Sequence, residues 1–427
     1  MDVSVIGTGY VGLVTGAGLA EKGHNVICYD IIKEKIKDIE RGVSPIYERG
    51  LDTIIKRNIG GKLNTSMDLK STITDTEITF ICVGTPSNQD GSINLRYVKN
   101  ACKEIGSILK EKEGYHLIVV KSTVVPGTTE DVVIKLIEES SGKKAYRDFG
   151  VVMSPEFLRE GVAVQDFLKP DRIIIGVNDK RSSNKLKKLY DGFNCPIQGV
   201  DIKTAEMIKY ASNAFLATKI SYINEIGNIC KKLGIDVYDV AKGMAFDHRI
   251  SRYFLNAGLG FGGSCLPKDV KALIHRAREL DYNPILLDSA IKVNEKQAAR
   301  MLDIARKKLK SLEMKKVAIL GAAFKAGTDD IRESPIHPLI NALLKEKAEI
   351  IVYDPQANNN LKEVYKKKIV YAKSADDALR NAELAFIVTA WAEFELLDYS
   401  LMKKAVVVDG RKVVRKKKNI DYEGLCW

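Results

Sequence analysis

A chain of 427 residues with 45% hydrophobic and 29% charged residues has the composition of a globular protein with room for two or three cores. No apolar run approaches a membrane span, and seven scattered cysteines without a C-x-x-C pair and five histidines without an H-x-x-x-H pair suggest neither a disulfide framework nor a metal site. The net charge of +12 reads either as a Lys-rich solvated surface or as an attraction for anionic small molecules. The basic run at 411–418 lacks the interleaved aromatics of a nucleic-acid surface.

The chain opens on a strand, Val3-Ser4-Val5-Ile6, rather than on a cleavable signal, which points to the cytoplasm. Gly7-Thr8-Gly9-Tyr10-Val11-Gly12 follows, then a helical stretch from Leu13 to Lys22, then a second strand, His24 to Tyr29, ending in Asp30. In this βαβ unit Gly7 permits the tight turn, Gly9 the approach of a pyrophosphate, and Gly12 the packing of helix on strand. Asp30 is placed to accept hydrogen bonds from a ribose 2′-hydroxyl, which favours NAD over NADP, with Lys35 beside the same ribose. Gly258-Leu259-Gly260-Phe261-Gly262-Gly263 satisfies the same G-x-G-x-x-G pattern. It has no strand before it, and reads as a substrate-facing loop.

Further strands at 78–83 and 117–120 run into Gly84-Thr85-Pro86 and Lys121-Ser122-Thr123. Ligands of doubly wound sheets gather at the carboxyl ends of strands, so Thr85, Pro86, Ser122 and Thr123 are cofactor-side candidates. After a strand at 151–153, Ser154 as N-cap and Pro155 at the first helical position predict a short helix. Its Glu156 and Glu160 would share one face, either as a solvated pair or as an acid/base pair.

The longest helical pattern runs from about Ile202 to Leu233 and is apolar nearly all round, as expected of a dimer core or a bridge between domains. Lys209 and Asn213 lie one turn apart on it. They read as donors toward a developing oxyanion, with a Glu206–Lys209 pair as the bland alternative. The glycine loop leads into Ser264-Cys265-Leu266-Pro267-Lys268-Asp269, which sets Cys265 at a helix N-terminus beside Lys268. Dipole and ammonium both favour thiolate, with a buried, inert cysteine beside a tight turn as the alternative. Asp269, one turn on, is suited to hold a water or share a proton. A second α/β half follows, with strands at 317–320, 350–353, 384–388 and 406–408. It lacks G-x-G-x-x-G and presents Lys325 as a phosphate ligand. The fold expected is α/β, two Rossmann-like doubly wound domains joined by a long central helix: a NAD-binding domain at 1–200, a central helical region at 201–310 carrying Cys265, and a C-terminal Rossmann-like domain at 311–427 for a nucleotide or a sugar phosphate.

These motifs, above all Gly-Gly-Ser-Cys-Leu-Pro-Lys-Asp at 262–269 and Pro-Glu-Phe-Leu-Arg-Glu at 155–160, resemble the UDP-glucose/GDP-mannose dehydrogenase family over essentially the whole chain. The resemblance implies NAD-dependent, four-electron oxidation of a sugar C6 alcohol to a carboxylate by way of a thiohemiacetal and a thioester. It assigns Cys265 as nucleophile, Lys209 and Asn213 as oxyanion donors, Thr123 and Asp269 as holders of a water, and Glu156 as promoter of thioester hydrolysis. Glu160 falls near cofactor or substrate, and Lys268 and Arg332 toward the cofactor. Phe157, Leu158, Tyr253, Asn256, Phe261, Gly262, Lys325 and Arg411 become UDP-sugar contacts. Gly161 after Glu160 resembles members acting on UDP-glucose to give UDP-glucuronate. GDP-mannose and UDP-N-acetyl sugars are the alternatives. A homodimer is implied, without membrane or nucleic-acid partners. Asp409-Gly410-Arg411-Lys412 departs from the family's Asp-Gly-Arg-Asn at its last residue.

Overall fold

The computed structural model describes residues 1–415 and 418–427, so Lys416 and Lys417 of the basic run lie outside it. Two compact units divide the chain, Met1–Ser212 and Asn213–Trp427. The boundary falls within one continuous helix, Ile202–Leu233, whose 32 residues span about 48 Å at ~1.5 Å per residue.

The first unit is built on eight strands: β1 (Asp2–Ile6), β2 (Asn25–Tyr29), β3 (Leu63–Ser66), β4 (Ile78–Ile81), β5 (His116–Val120), β6 (Phe149–Met153), β7 (Ile173–Val177) and β8 (Ile197–Val200). Their spatial order is β3-β2-β1-β4-β5-β6-β7-β8, all pairs parallel except β6 with β7. Val3 faces Val26 on one side and Ile78 on the other, so the chain reverses direction of travel at β1 and β4. That reversal opens a crevice at the carboxyl ends of the two strands. Strands such as IIIGV and HLIVV are buried on both faces, as a parallel sheet covered by helices requires. Separate apolar clusters fill the two sides, one with Val5, Leu13, Phe80 and Val119, the other with Ile6, Ile81, Ile118 and Phe149.

The second unit repeats the plan with β9 (Lys316–Leu320), β10 (Glu349–Tyr353), β11 (Val370–Tyr371), β12 (Leu384–Ile387), β13 (Val406–Asp409) and β14 (Asp421–Gly424). The order is β11-β10-β9-β12-β13-β14, all parallel. The expected fold class is what the structure has. Between the long helix and β9 lie the helices Leu266–Glu279 and Ile285–Leu309. The Gly258–Gly263 stretch is an irregular loop, as its lack of a preceding strand implied.

One expected element is absent: residues 154–159 form no helix, and the next helix is Ala163–Leu168. The N–H of Ser154 continues the sheet by donating to Val120 O at 2.9 Å. The Glu156 carboxylate turns back on the Leu158 N–H at 2.5 Å and outward to Lys209 at 2.8 Å. A buried ion pair has outcompeted local helix propensity. Glu156 and Glu160 therefore share no helix face, and only Glu156 is fully buried.

Candidate active site

In the first unit the turn after β1 is shaped for an anion. Gly7 sits at φ +95°, and a Cβ on Gly12 would overlap Gly7 O, so the helix Tyr10–Glu21 seats on the turn only because residue 12 is glycine. Gly9, the N-cap, supplies no side-chain hydrogen bond, and nothing lies within 4 Å of the position its Cβ would take. First-turn amides with open space in front of them fit a pyrophosphate. Asp30 is 7% exposed; its Oδ2 accepts from Thr8 N at 2.8 Å and Thr8 Oγ1 at 2.7 Å, and Oδ1 from Ile32 N at 3.0 Å. Burial pushes this carboxyl up, but the Thr8 and Ile32 donors together outweigh it and hold it below the usual range. Lys35 Nζ stands 3.7 Å from Asp30.

At the ends of β4 and β5, Thr85 donates to Thr123 O at 3.0 Å and Ser122 to Val83 O at 2.7 Å, so the two loops are stitched together. Pro86 is exposed, and Val11, Thr123 and Glu160 are partly exposed. Glu156 and Lys209 make a buried ion pair, their side chains 5% and 4% exposed. Burial again pushes the carboxyl up, and the Lys209 charge and hydrogen bond reverse this, leaving it lowered. Arg172 lies 4.0 Å over the Phe157 ring, with Lys209 Nζ at 5.5 Å from the same ring. Leu158 is partly buried against the sheet's core.

Two buried carboxylates here carry no sequence signature. Glu48 accepts from Gly161 N at 2.6 Å and Ala163 N at 2.8 Å, and Tyr10 OH accepts from the same Gly161 N at 2.9 Å. The fingerprint residue Tyr10 is thereby tied to the loop that carries Glu156 and Glu160. Glu206 does not pair with Lys209; it accepts from Gly127 N at 2.6 Å and Thr129 N at 2.8 Å.

In the second unit Cys265 is the N-cap of the Leu266–Glu279 helix, with Pro267 in its first turn. Asp269 N donates to Cys265 O at 2.9 Å, closing that first turn. Ser264 Oγ lies 3.6 Å from Cys265 Sγ. Asp269, 1% exposed, accepts from Asn213 Nδ2 at 2.6 Å and Lys268 Nζ at 2.5 Å. The Lys268 ammonium is thus bound to Asp269. Cys265 is partly exposed, as is Cys195, whereas Cys28, Cys82, Cys102, Cys230 and Cys426 are buried.

The same unit holds a cavity of about 560 Å³ lined by Asn256, Phe324, Lys325, Arg411, Lys412 and Arg415 among others. Arg411 donates to Gly260 O at 2.9 Å and Val388 O at 2.8 Å, while its buried Nη2 has no hydrogen-bond partner among the described residues. Burial lowers its pKa to about 10, still cationic at neutral pH. An orphaned guanidinium donor in a cationic cavity fits a diphosphate. Lys412, the departure from the family motif, is held by Asp236 at 2.5 Å and lies 4.2 Å over the Tyr238 ring. Phe261 and Gly262 belong to the loop packed on this region, where a Cβ on Gly262 would meet Glu333 O. Tyr253 is 63% exposed, and the Arg332 guanidinium is engaged by Asp330 at 2.7 and 2.8 Å. Among the described residues no cluster of three metal-ligating side chains occurs, and no helix is long and apolar enough to cross a membrane.

Three family models match in chain order: the NAD binding domain of the UDP-glucose/GDP-mannose dehydrogenase family over residues 1–194, its central domain over 203–296 and its UDP binding domain over 318–416. The UDP-glucose 6-dehydrogenase AglM of Haloferax volcanii is 45% identical over 432 residues, covering 100% of both chains. The GDP-mannose 6-dehydrogenase of Pseudomonas savastanoi is 39% identical over 442 residues, again over 100% of both. The solved UDP-glucose dehydrogenase of Pyrobaculum islandicum superposes with a TM-score of 0.96 at 40% identity, covering 100% of this chain and 98% of that one.

Proposed function

The chain belongs to the UDP-glucose/GDP-mannose dehydrogenase family and is an NAD-dependent nucleotide-sugar 6-dehydrogenase, and within that family we propose that it oxidises UDP-glucose to UDP-glucuronate. The observation that carries the reading is the set around one thiol: Cys265 opening a helix, with Asp269 one turn on, gripped by Asn213 and Lys268. The relatives named for UDP-glucose and the Gly161 of the 155–161 segment favour this sugar over GDP-mannose.

NAD, held by the Gly7–Gly12 turn and Asp30, would supply the hydride acceptor for each of the two oxidations. Lys209 and Asn213 stabilise the alkoxide and later the tetrahedral oxyanions. The Cys265 sulfur adds to the C6 aldehyde, and the carbonyl oxygen gains a proton, giving a thiohemiacetal. Loss of hydride and proton from this adduct leaves a thioester. Water adds to the thioester carbon with help from Glu156 as base, the C–S bond breaks, and carboxylate and thiol are released. Thr123 and Asp269 hold the water that moves protons. The cationic cavity with Lys325 and Arg411 takes the diphosphate, and Phe157, Leu158, Asn256, Phe261 and Gly262 the sugar and base. We assign residues 1–200 to NAD binding, 201–310 to the central thiol-bearing region and 311–427 to the nucleotide sugar. The chain works as a homodimer in the cytoplasm.

NAD reduction across UDP-glucose, GDP-mannose and UDP-N-acetyl sugars tests the substrate; faster turnover of either alternative refutes the choice of UDP-glucose. Cys265→Ala should form no UDP-glucuronate while still binding NAD. Glu156→Gln should accumulate a sugar adduct on Cys265, visible by intact-protein mass spectrometry. Full carboxylate production by Cys265→Ala, with two NADH per sugar, overturns the mechanism.

A further inference from the structure

The loop that delivers Cys265 is irregular and largely buried, so its backbone needs partners that neither helix nor sheet provides. Three side-chain amides supply them. Asn294 Oδ1 accepts from Phe261 N at 2.8 Å while Asn294 Nδ2 donates to Phe261 O at 3.0 Å, so one side chain takes both polar groups of one residue, as a paired strand would. Three residues on, along the same helix, Gln297 Nε2 donates to Gly258 O at 2.7 Å, and Asn224 on the long helix accepts from Gly258 N at 2.7 Å. Gln297 and Asn224 are fully buried, and Asn228 donates to Gln297 Oε1 at 3.0 Å, which fixes the orientation of the Gln297 amide. Asn294 also dictates sequence: a Cβ on Gly260, which sits at φ +82°, would collide with Asn294 Oδ1.

We propose that Asn294 is the positioning residue for the reactive thiol: by gripping Phe261 it fixes the approach of the glycine loop, and so places Cys265 against the substrate aldehyde. Gln297, Asn224 and Asn228 anchor the loop's start. The proposal rests on the reading of Cys265 as the thiol that captures the aldehyde. The first oxidation needs no sulfur, whereas the second does. Loss of the grip should therefore slow thiohemiacetal formation more than alcohol oxidation, and let aldehyde escape. A purely structural role would lower the active fraction but keep two NADH per sugar.

The experiment is turnover of UDP-glucose with hydroxylamine present, which condenses with free aldehyde to an oxime and water. Wild type should give two NADH per sugar and little oxime. Asn294→Ala should lose at least tenfold in kcat with KM for NAD unchanged, give close to one NADH per sugar, and accumulate the oxime. Asn294→Asp keeps the acceptor for Phe261 N but not the donor to Phe261 O, and should fall between. Two NADH per sugar from a folded Asn294→Ala, at whatever rate, overturns the proposal. So does failure of both variants to fold, since Asn294 would then be a determinant of folding. Wild type yielding fewer than two NADH would instead sink the underlying mechanism, independently of Asn294.

Discussion

Replacing Lys209 with Met removes the ammonium from a pair whose side chains are 4% and 5% exposed and 2.8 Å apart. Breaking a buried pair by deleting one partner costs about 3–5 kcal/mol, because the other charge is left uncompensated. Glu156 would then feel mainly its burial, already the largest influence on it, and its pKa should rise. The sign follows. In wild type the lowered Glu156 contributes stability that is present above its unfolded value near 4.5 and lost as pH falls through the folded value. In the variant the raised carboxyl binds a proton that the unfolded chain has released, so stability falls as pH rises above about 4.5. The gap between the two proteins should accordingly be the full ~3–5 kcal/mol at pH 8 and clearly smaller at pH 5. Adding Glu156→Gln should recover most of the loss, since no buried charge remains. Urea unfolding followed by far-UV circular dichroism reads this. Tryptophan fluorescence does not, because Trp391 and Trp427 both lie in the second unit while the pair lies in the first. A loss below about 1 kcal/mol at pH 8, or an equal loss at both pH values, would refute the reasoning.

Asp30→Ala removes the acceptor of Thr8 and Ile32, and should lower kcat/KM for NAD by about tenfold or more while narrowing the preference over NADP; comparable efficiency with NADP in the unmodified enzyme would contradict the role given to Asp30. Burial raises Glu206 to about 7 from 4.5, so the folded chain binds the extra proton between those values and stability should fall as pH rises through the window, by up to about 3 kcal/mol. Glu206→Gln should flatten that slope in urea titrations at pH 5 to 8, and an unchanged slope counts against it. Phe215, Tyr222, Ile229 and Leu233 form an exposed apolar stripe along the long helix, 64%, 50%, 51% and 67% exposed, which a second copy should cover. Sedimentation at micromolar protein should give a dimer that Phe215→Glu with Tyr222→Glu converts to monomer, and a monomeric wild type refutes it.

What the sequence determined by itself was whatever a short window of chain dictates. The fingerprint turn at Gly7, Gly9 and Gly12, the Ile202–Leu233 helix with Lys209 and Asn213 one turn apart, and Cys265 opening a helix at Pro267 all depend on spacings of a few residues. Periodicity and cap chemistry report those spacings directly. Which distant group each buried polar side chain meets was settled by packing alone. Glu156 finds Lys209 across 53 positions and in doing so cancels the helix that Ser154 and Pro155 promised. Glu48 finds Gly161 across 113, Glu206 finds Gly127 across 79, and Asn294 finds Phe261 across 33. Local pattern is silent on such choices because burial makes an unpaired carboxylate or amide costly wherever it lies. The partner is then whichever charge or backbone group the packed fold brings within hydrogen-bond reach.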